Sequence, residues 1–161
     1  MGVRIRPFRE SDRERLREIT AEAFDGVSID QNIERKFGLV GGRDWKFRKG
    51  TAIRREVESN MDGVLVAEVN GRVVGYITTS VNPETKIGHI PNLAVHPDFQ
   101  RRGIGRMLIE AALRLLRERG MEMAKIETLE QNIVASRFYP KMGFVEVARQ
   151  IHYVKPLRGE G

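Results

Sequence analysis

One segment constrains the fold of this chain more than any other, and it runs from Asn92 to Arg106 as NLAVHPDFQRRGIGR. Its apolar start, up to Val95, predicts a strand, and a loop follows. Beyond the loop, apolar residues recur at the spacing of one helix face, namely Ile104, Met107, Leu108, Ala111, Ala112 and Leu115. Arg117, Arg119 and Gly120 are typical of a helix end. A strand, a glycine-rich basic turn and an amphipathic helix are therefore predicted in succession.

The turn has the chemistry of an anion site. The first N–H groups of a helix lack intrahelical acceptors, and the helix dipole is positive there. Gly103 and Gly105 allow a ligand to approach the backbone closely, and three arginines add countercharge, Arg101, Arg102 and Arg106. The loop alone fits both a pyrophosphate site and a solvated basic turn.

Two other phosphate-binding motifs fit the sequence less well. A Walker-type loop requires Gly-Lys-Ser/Thr, which does not occur in the chain. A dinucleotide-binding fold places its glycine loop in an early strand–helix–strand unit, with an acidic residue after the next strand. Here the loop comes late, after an apparent hairpin.

The composition limits the chemistry further. A chain of 161 residues suits a single domain, 1–161. It contains no cysteine, which excludes a disulfide framework, a cysteine-rich metal site and a cysteinyl intermediate. The three histidines show no metal-ligand spacing, so we expect no metal site; they are His89, His96 and His152.

The net charge of +6 raises the question of nucleic-acid binding. The basic residues are scattered among 22 acidic ones, without a basic tail or an aromatic platform. We therefore expect an anionic small molecule as partner and no nucleic acid. Neither an apolar run long enough for a membrane span nor the apolar core of a signal peptide is present. We expect no membrane partner and a cytoplasmic protein.

The N-terminal part predicts one strand and several helices. Val3–Phe8 alternates as a strand, and Ser11 with Glu14 forms a capping box for a helix that ends near Phe24. The segment 25–61 contains two further helical stretches separated by glycines. These stretches are Ile29–Phe37 and Thr51–Ser59, and the glycines are Gly38, Gly41 and Gly42.

A hairpin is the clearest strand signal. Asn70-Gly71 separates two β-rich runs, 63–69 and 72–79, and suits the type I′ turn that matches strand twist. Ile87–Val95 predicts the next strand, in which Pro91 indicates a bulge or a local loss of pairing. Such an interruption would leave backbone groups free for a ligand.

The remaining elements complete an α/β (α+β) pattern. Met123–Leu129 predicts a strand, Asn132–Tyr139 a short helix ended by Pro140 and Gly143, and Phe144–Val154 a final strand or strand pair. The sequence therefore predicts a single three-layer domain. Its mixed, mostly antiparallel sheet would have six to seven strands, with helices on both faces.

Two blocks resemble the signatures of the GNAT N-acetyltransferases. Gln100–Gly105, QRRGIG, is similar to the family loop Gln/Arg-x-x-Gly-x-Gly/Ala, and Asn132–Phe144, NIVASRFYPKMGF, is similar to Asn…Ala…Tyr-x-Lys-x-Gly-Phe. The likeness extends over 63–154 and is greatest to the ribosomal-protein-alanine N-acetyltransferases. The N-terminal half of those enzymes is not recognisable here, so their acceptor is not carried over.

The resemblance implies acetyl-CoA as co-substrate and a role for each matching position. Backbone groups of the last strand residues before the loop would pair with the pantetheine arm, namely Leu93, Ala94 and Val95. Loop and helix amides would hold the pyrophosphate, at Arg101, Arg102, Gly103, Ile104, Gly105 and Arg106. Asn132 and Ser136 would contact the arm near its sulfur.

Two residues compete for the role of general base. Glu127 aligns with the base of the similar ribosomal-protein acetylases, but Lys125 on the same strand face would also make a simple ion pair with it. His89 lies where histone-type members carry a glutamate, and an imidazole can accept a proton through water, although a lone histidine at a strand start also has structural roles.

Tyr139 is the candidate general acid. Its hydroxyl can donate a hydrogen bond to the developing thiolate, and the structural alternative is a buried aromatic that anchors the last helix.

These residues together predict an N-acetyltransferase that acts by direct attack of the amine in a ternary complex. The acceptor would be a primary amine, either a small molecule or a peptide, with segment 25–61 as the acceptor wall. Phe37, Trp45 and Phe47 could line that wall or form local core. A non-catalytic acyl-CoA-binding or sensing module is the alternative, and a homodimer is compatible with the pattern.

Overall fold

The computed structural model describes residues 2–157. It contains five strands and five α-helices. In chain order these are β1 Val3–Pro7, α1 Arg13–Ala23, α2 Ile29–Phe37, α3 Trp45–Ser59, β2 Val64–Val69, β3 Arg72–Ser80, β4 Ile87–Val95, α4 Ile104–Glu118, β5 Met123–Ile126 and α5 Ile133–Lys141. Short 3-10 turns precede α1, β2 and the loop before α4. Every helix in residues 2–157 is too short or too polar to cross a bilayer.

The sheet is mixed, with strand order β1-β2-β3-β4-β5. The pairs β1–β2, β2–β3 and β3–β4 are antiparallel, and β5 runs parallel to β4. The β2–β3 connection is the predicted hairpin, because Asn70 and Gly71 both have positive φ, +52° and +78°. This is the geometry of a type I′ turn.

The predicted number of six to seven strands is wrong, since the part of the chain that the structure describes has five. The missing strand is Phe144–Val154, where no ladder forms and the side chains of Val145 and Val147 lie in solvent. The alternation of this segment predicts a strand, but it does not specify a partner strand.

Helices cover both faces of the sheet, as predicted. On one face α4 buries Leu108, Ile109 and Ala112 against β2, β3 and β4, and side chains from α5 and the residues after it pack at the border. On the other face α1 and α3 bury a second cluster that includes Ile19 and Ile53. The two clusters make the sheet the middle of three layers.

Two helix starts differ from the prediction. At α1 the N-terminal contact comes from Asp12, whose carboxylate accepts the Arg9 N–H at 2.8 Å, and Glu14 instead pairs with Arg17. The helix α3 begins at Trp45, six residues before the predicted Thr51. The reason is Asp44, whose Oδ1 accepts the Phe47 N–H at 2.9 Å and caps the helix.

The ends of two later elements also differ. The strand β5 stops at Ile126, three residues before the predicted Leu129, and this early end frees the chain for the site described below. The helix α5 runs through Pro140 to Lys141, because a proline near the last turn costs little when the helix ends soon after it.

A buried ion cluster joins the N-terminal strand to its surroundings. The guanidinium of Arg6 donates to both carboxylate oxygens of Asp12 at 2.8 and 2.9 Å and to Glu68 at 2.9 Å. These hydrogen bonds outweigh the cost of burial and raise the pKa of Arg6, so the pair stays charged. The cluster connects β1 with β2 and with the start of α1.

Candidate active site

The site begins where β4 loses one of its neighbours. On one side β4 pairs with β3 along its length, with a register shift between Thr78 and Ser80. On the other side it pairs with β5 only from Ile87 to Ile90. Pro91 follows at once, as the predicted interruption, and residues 91–95 have an edge without a ladder partner in residues 2–157.

The alternation of β4 shows which backbone groups face this open edge. The N–H of His96 donates to the Val74 carbonyl at 2.8 Å. Because backbone groups alternate along a strand, the N–H and C=O groups of the even-numbered residues in this part of β4 point towards β3. The N–H and C=O groups of Leu93 and Val95 therefore point outwards, while those of Ala94 point towards β3. The Val95 carbonyl already accepts Gln100 Nε2 at 3.0 Å.

The glycine loop follows the C-terminal end of the same strand. Gly103 adopts φ +80° and is the N-cap of α4, and Arg101 also has a left-handed φ of +65°. A Cβ placed on Gly103 would meet no atom within 4 Å, so its outer face is open. The buried side chain of Ile104 anchors the first turn in the core. Of the predicted cofactor residues, Leu93 and Val95 thus present backbone groups at the open edge and Ala94 does not, while 101–106 form the loop and the first turn of α4 that follow.

The helix α5 lies beside the start of α4. A Cβ built on Gly105 would stand 3.6 Å from the Phe138 ring. The side chain of Asn132 caps α5 by accepting the Ala135 N–H at 3.0 Å, and Ser136 Oγ donates to the Asn132 carbonyl at 2.9 Å. In this structure both predicted sulfur-contact side chains serve the first turn of α5.

The two competing base candidates contact one another. His89 Nε2 lies 2.6 Å from Glu127 Oε1, and their side chains are 34% and 56% exposed. Ile90 belongs to the core under α4, so His89 projects from the opposite face, towards α1 and α3. The simple Lys125–Glu127 pair does not form, because the Glu127 carboxylate takes His89 as its partner.

Tyr139 lies near this pair and is largely buried. Burial, together with the negative charge of Glu127, raises the pKa of the Tyr139 hydroxyl to about 12. The hydroxyl is therefore protonated throughout the neutral range and is available as a donor. The ring also packs against Phe138 and Phe144, with centroid distances of 5.8 and 6.0 Å. The Tyr139 ring can therefore anchor α5 while its hydroxyl remains available as a general acid.

Sequence reasoning missed a cation at the site. Lys49 of α3 reaches β4, where its Nζ donates to Asn92 Oδ1 at 3.1 Å and lies 4.3 Å from the Phe24 ring centroid. Burial lowers the pKa of Lys49. The position of Lys49 in the sequence does not distinguish it from the other basic residues of α3.

Segment 25–61 makes a second contact with the site through α2. Gln131, the residue before the α5 cap, exchanges hydrogen bonds with the Asn32 side chain at 2.8 and 3.1 Å and donates to the Gly26 carbonyl at 2.8 Å. Of the three aromatic residues proposed for an acceptor wall, Trp45 is core and Phe37 and Phe47 are about half exposed.

The geometry offers a backbone anion cradle, an open strand edge, a carboxylate–imidazole pair and a protonated tyrosine. Within residues 2–157 no three His, Cys, Asp or Glu side chains come together as a metal-ligand group. The family model described as the acetyltransferase (GNAT) family matches residues 15–144. The chain therefore belongs to the GNAT acetyltransferase family.

This GNAT chain also resembles a curated relative along most of its length. It is 31% identical over 163 aligned positions to a mycothiol acetyltransferase of Saccharomonospora viridis, which covers 96% of this chain and 49% of the relative. The chain thus spans about half of the length of that protein.

Solved structures show the same fold. The PaiA N-acetyltransferase of Thermoplasma acidophilum, in complex with coenzyme A, superimposes with a TM-score of 0.70 at 20% identity, covering 88% of this chain and 89% of that one. The ribosomal-protein-S18-alanine N-acetyltransferase of Escherichia coli gives a TM-score of 0.66 at 22% identity, covering 91% and 80%.

The loop geometry leads to a prediction about acetyl-CoA affinity. We expect Gly103→Ala to weaken acetyl-CoA binding by about 10-fold or more, because the Cβ would stand on the open face of the cradle and strain the left-handed backbone. Isothermal titration calorimetry measures the change.

The matched control is Gly120→Ala at the other end of α4. Gly120 has φ +86° and equally open surroundings, so it carries the same strain far from the cradle. Both variants should lose about 1 kcal/mol of stability. Equal acetyl-CoA affinities for the two variants would contradict the placement of the site.

Proposed function

We propose that this protein transfers the acetyl group of acetyl-CoA to a primary amine, by direct attack in a ternary complex. The observation that carries the proposal is the unpaired edge of β4 over residues 91–95, followed along the chain by the left-handed loop and the first turn of α4. An extended, amide-bearing chain that ends in a pyrophosphate has the shape and polarity of that surface. Membership of the GNAT family supports the same co-substrate.

The backbone would do most of the binding. The amides from Arg101 to Arg106 would hold the pyrophosphate, with help from the α4 dipole. The outward groups of Leu93 and Val95 would pair with the pantetheine arm as an added strand. Because Ala94 faces β3, the N–H of Leu93 is the one we assign to polarise the thioester carbonyl.

Deprotonation of the amine would fall to the Glu127–His89 pair. An α-amino group has a pKa of about 7.7–8.0, against about 10.4 for a lysine side chain, so a moderate base suffices for the former. The carboxylate of Glu127 would accept the amine proton, directly or through water, as nitrogen attacks the carbonyl carbon. His89 would orient Glu127 through the 2.6 Å contact.

Tyr139 would complete the reaction. As the carbon–sulfur bond breaks, the thiolate takes the phenolic proton, and the tyrosine regains one from the base or from solvent. A pKa near 12 keeps the donor proton in place until a basic leaving group develops.

The acceptor would bind on the α1/α3 face, in a single domain 1–161 whose segment 25–61 forms the acceptor wall. Lys49 and Gln131 support this assignment, because they connect the segment to β4 and to the loop before α5. Two of the three similar proteins have different acceptors in their names, since one is a mycothiol acetyltransferase and another a ribosomal-protein-S18-alanine N-acetyltransferase. We therefore assign the class, a primary amine in a peptide N-terminus, an amino acid or another small molecule.

A thiol-detecting dye tests the proposal directly. The chain has no cysteine, so released CoA is detected without background from the protein. We expect acetyl-CoA-dependent thiol release with at least one member of a panel of N-terminal peptides, amino acids and amino sugars. A thermal shift with acetyl-CoA but no release with any amine would instead indicate a sensing module.

Removal of the tyrosine hydroxyl tests the proposed acid. We expect Tyr139→Phe to lower kcat by about 10²-fold, with little change in acetyl-CoA affinity, because the hydroxyl acts on a charge that develops only in the transition state. Steady-state kinetics and the acetyl-CoA thermal shift separate these effects. Equal losses in kcat and in binding would indicate a purely structural ring.

A double-mutant cycle tests the proposed base. We expect Glu127→Gln to lower kcat by about 10²-fold and His89→Asn to lower it less, because His89 acts through Glu127. The double variant should be no slower than Glu127→Gln, since its members act as one unit. A pH–rate profile follows the acidic limb, where the base becomes protonated, in each variant. A larger loss in His89→Asn would reverse the two roles.

A further inference from the structure

The ammonium group of Lys49 is largely buried and contacts only neutral groups. Its Nζ donates to Asn92 Oδ1 at 3.1 Å and lies 4.3 Å from the centre of the Phe24 ring. It forms no ion pair with any side chain of residues 2–157. A charged group that is removed from water without a counterion costs stability, so we expect an anion from outside the chain to supply the missing partner.

Two carboxylates of the surrounding helices do not supply this partner. Asp30 and Glu56 act on Lys49 only at longer range, and Asp30 Oδ1 is already paired with Arg48 Nε at 3.4 Å. The pKa of Lys49 is lowered because burial outweighs both of these charges. Their field nevertheless opposes each further negative charge, so it favours a singly charged anion over a doubly charged one. A carboxylate fits this requirement better than a phosphate.

Asn92 provides further unused donors beside Lys49. An ammonium group only donates, so the contact with Lys49 fixes Oδ1 of the amide towards Nζ and leaves Nδ2 on the other side of the amide. Nδ2 has no hydrogen-bond partner within residues 2–157. The ammonium and the amide N–H groups are therefore two adjacent donor groups, one for each oxygen of a carboxylate.

These donors lie on the same face of the sheet as the proposed base. Asn92 comes two residues before Ala94, which is buried in the cluster under α1 and α3, and its contact with Lys49 of α3 places its side chain on that face. His89 projects from the same face three residues earlier, so the Cα atoms of His89 and Asn92 are at most about 10 Å apart. A small molecule can span the space between the two groups.

One more unpaired polar atom lies at this point of the sheet. Thr78 is opposite Asn92 in the β3–β4 ladder and is 1% exposed. Its Oγ1 is the one buried side-chain nitrogen or oxygen in residues 2–157 without a hydrogen-bond partner. Buried polar groups are rarely left unpaired, and each exception needs a physical reason. The unpaired groups of Thr78 and Asn92 lie side by side on the face proposed for the acceptor.

We propose that the acceptor carries a carboxylate in addition to its amine, and that Lys49 and Asn92 bind this carboxylate. The inference rests on the proposed function, because it names the substrate class of the same site. That class is an amino acid in the broad sense, a small molecule with a carboxylate a few bonds away from the reacting amine. The amine reaches Glu127, while the carboxylate completes the ion pair that Lys49 lacks. Lys49 is thus a specificity-determining residue.

Matched acceptor pairs test the substrate class. The thiol-dye assay compares each amine as free acid and as carboxamide, for every acceptor of the panel and for a series of rising length, glycine, β-alanine, γ-aminobutyrate and δ-aminovalerate. We expect kcat/KM to be about 10-fold or more higher for the acid at the best length, because the amide loses a charge-assisted hydrogen bond. The amine of an α-amino amide is easier to deprotonate, so basicity does not explain such a preference. Equal values for acid and amide throughout would overturn the inference and leave the acetyltransferase proposal intact.

A neutral variant tests the role of the ammonium group. Lys49→Met removes the charge and keeps an unbranched side chain over the Phe24 ring. We expect it to lower kcat/KM for acids by about 10-fold or more and to leave that for amides nearly unchanged, so that the preference disappears. The matched control is Lys46→Met, on the exposed surface three residues earlier in α3, which should keep the preference. Equal losses for acids and amides in Lys49→Met would instead show a structural role.

Two further measurements do not require turnover. The thermal midpoint of Lys49→Met should equal or exceed that of the wild type, because the variant no longer buries a charge without a counterion. A fall of several degrees would assign the ammonium to the fold and not to a ligand. Calorimetry with CoA present should show tighter binding of an N-acetylated acid than of its amide in the wild type, and no difference in Lys49→Met. Equal binding in the wild type would refute the carboxylate site, whereas a lack of thiol release with every amine would count against the proposed function alone.

Discussion

The separation of β4 from β5 after Ile90 is the constraint on which the site depends. Up to that residue the two strands share a parallel ladder, and beyond it β4 is held by β3 alone. The ladder with β3 holds this part of β4 in place. The backbone groups on its other side have no ladder partner in the described chain. Pro91 marks this point, because it cannot donate to a ladder. The loop that holds Gly103 then leads to the start of α4.

The catalytic candidates come from elements that meet only because of this separation. His89 precedes the break on β4, Glu127 follows the shortened β5, and Tyr139 lies on the helix that packs beside α4. Their electrostatics are linked, since the charge of Glu127 adds to burial in raising the pKa of the tyrosine. A carboxylate that accepts protons and a phenol that retains its own are thereby placed close together, as general base and general acid require.

Local signals in the sequence were sufficient wherever the deciding contact is local. The range of α2, the Asn70-Gly71 turn and the bulge near Pro91 are confirmed, because a cap, a turn pair and a missing donor determine them. The early start of α3 was missed because the Asp44 cap was overlooked. Contacts between residues far apart in the sequence leave no comparable local pattern. Neither the His89–Glu127 contact nor the Lys49–Asn92 contact follows from spacing, and the alternation of 144–154 could not name a partner strand.

The positive φ of Gly103 has one further consequence. The main-chain amides of this turn do not depend on the side chains around them, so substitution of the neighbouring arginines would leave the amides of the proposed pyrophosphate site in place. The opposite wall, in α2 and α3, contacts the sheet through individual side chains such as Lys49. Substitutions would therefore act unequally on the two proposed sites: most would spare the main-chain groups proposed to hold acetyl-CoA, whereas those in α2 and α3 would directly change the side-chain contacts of the proposed acceptor wall.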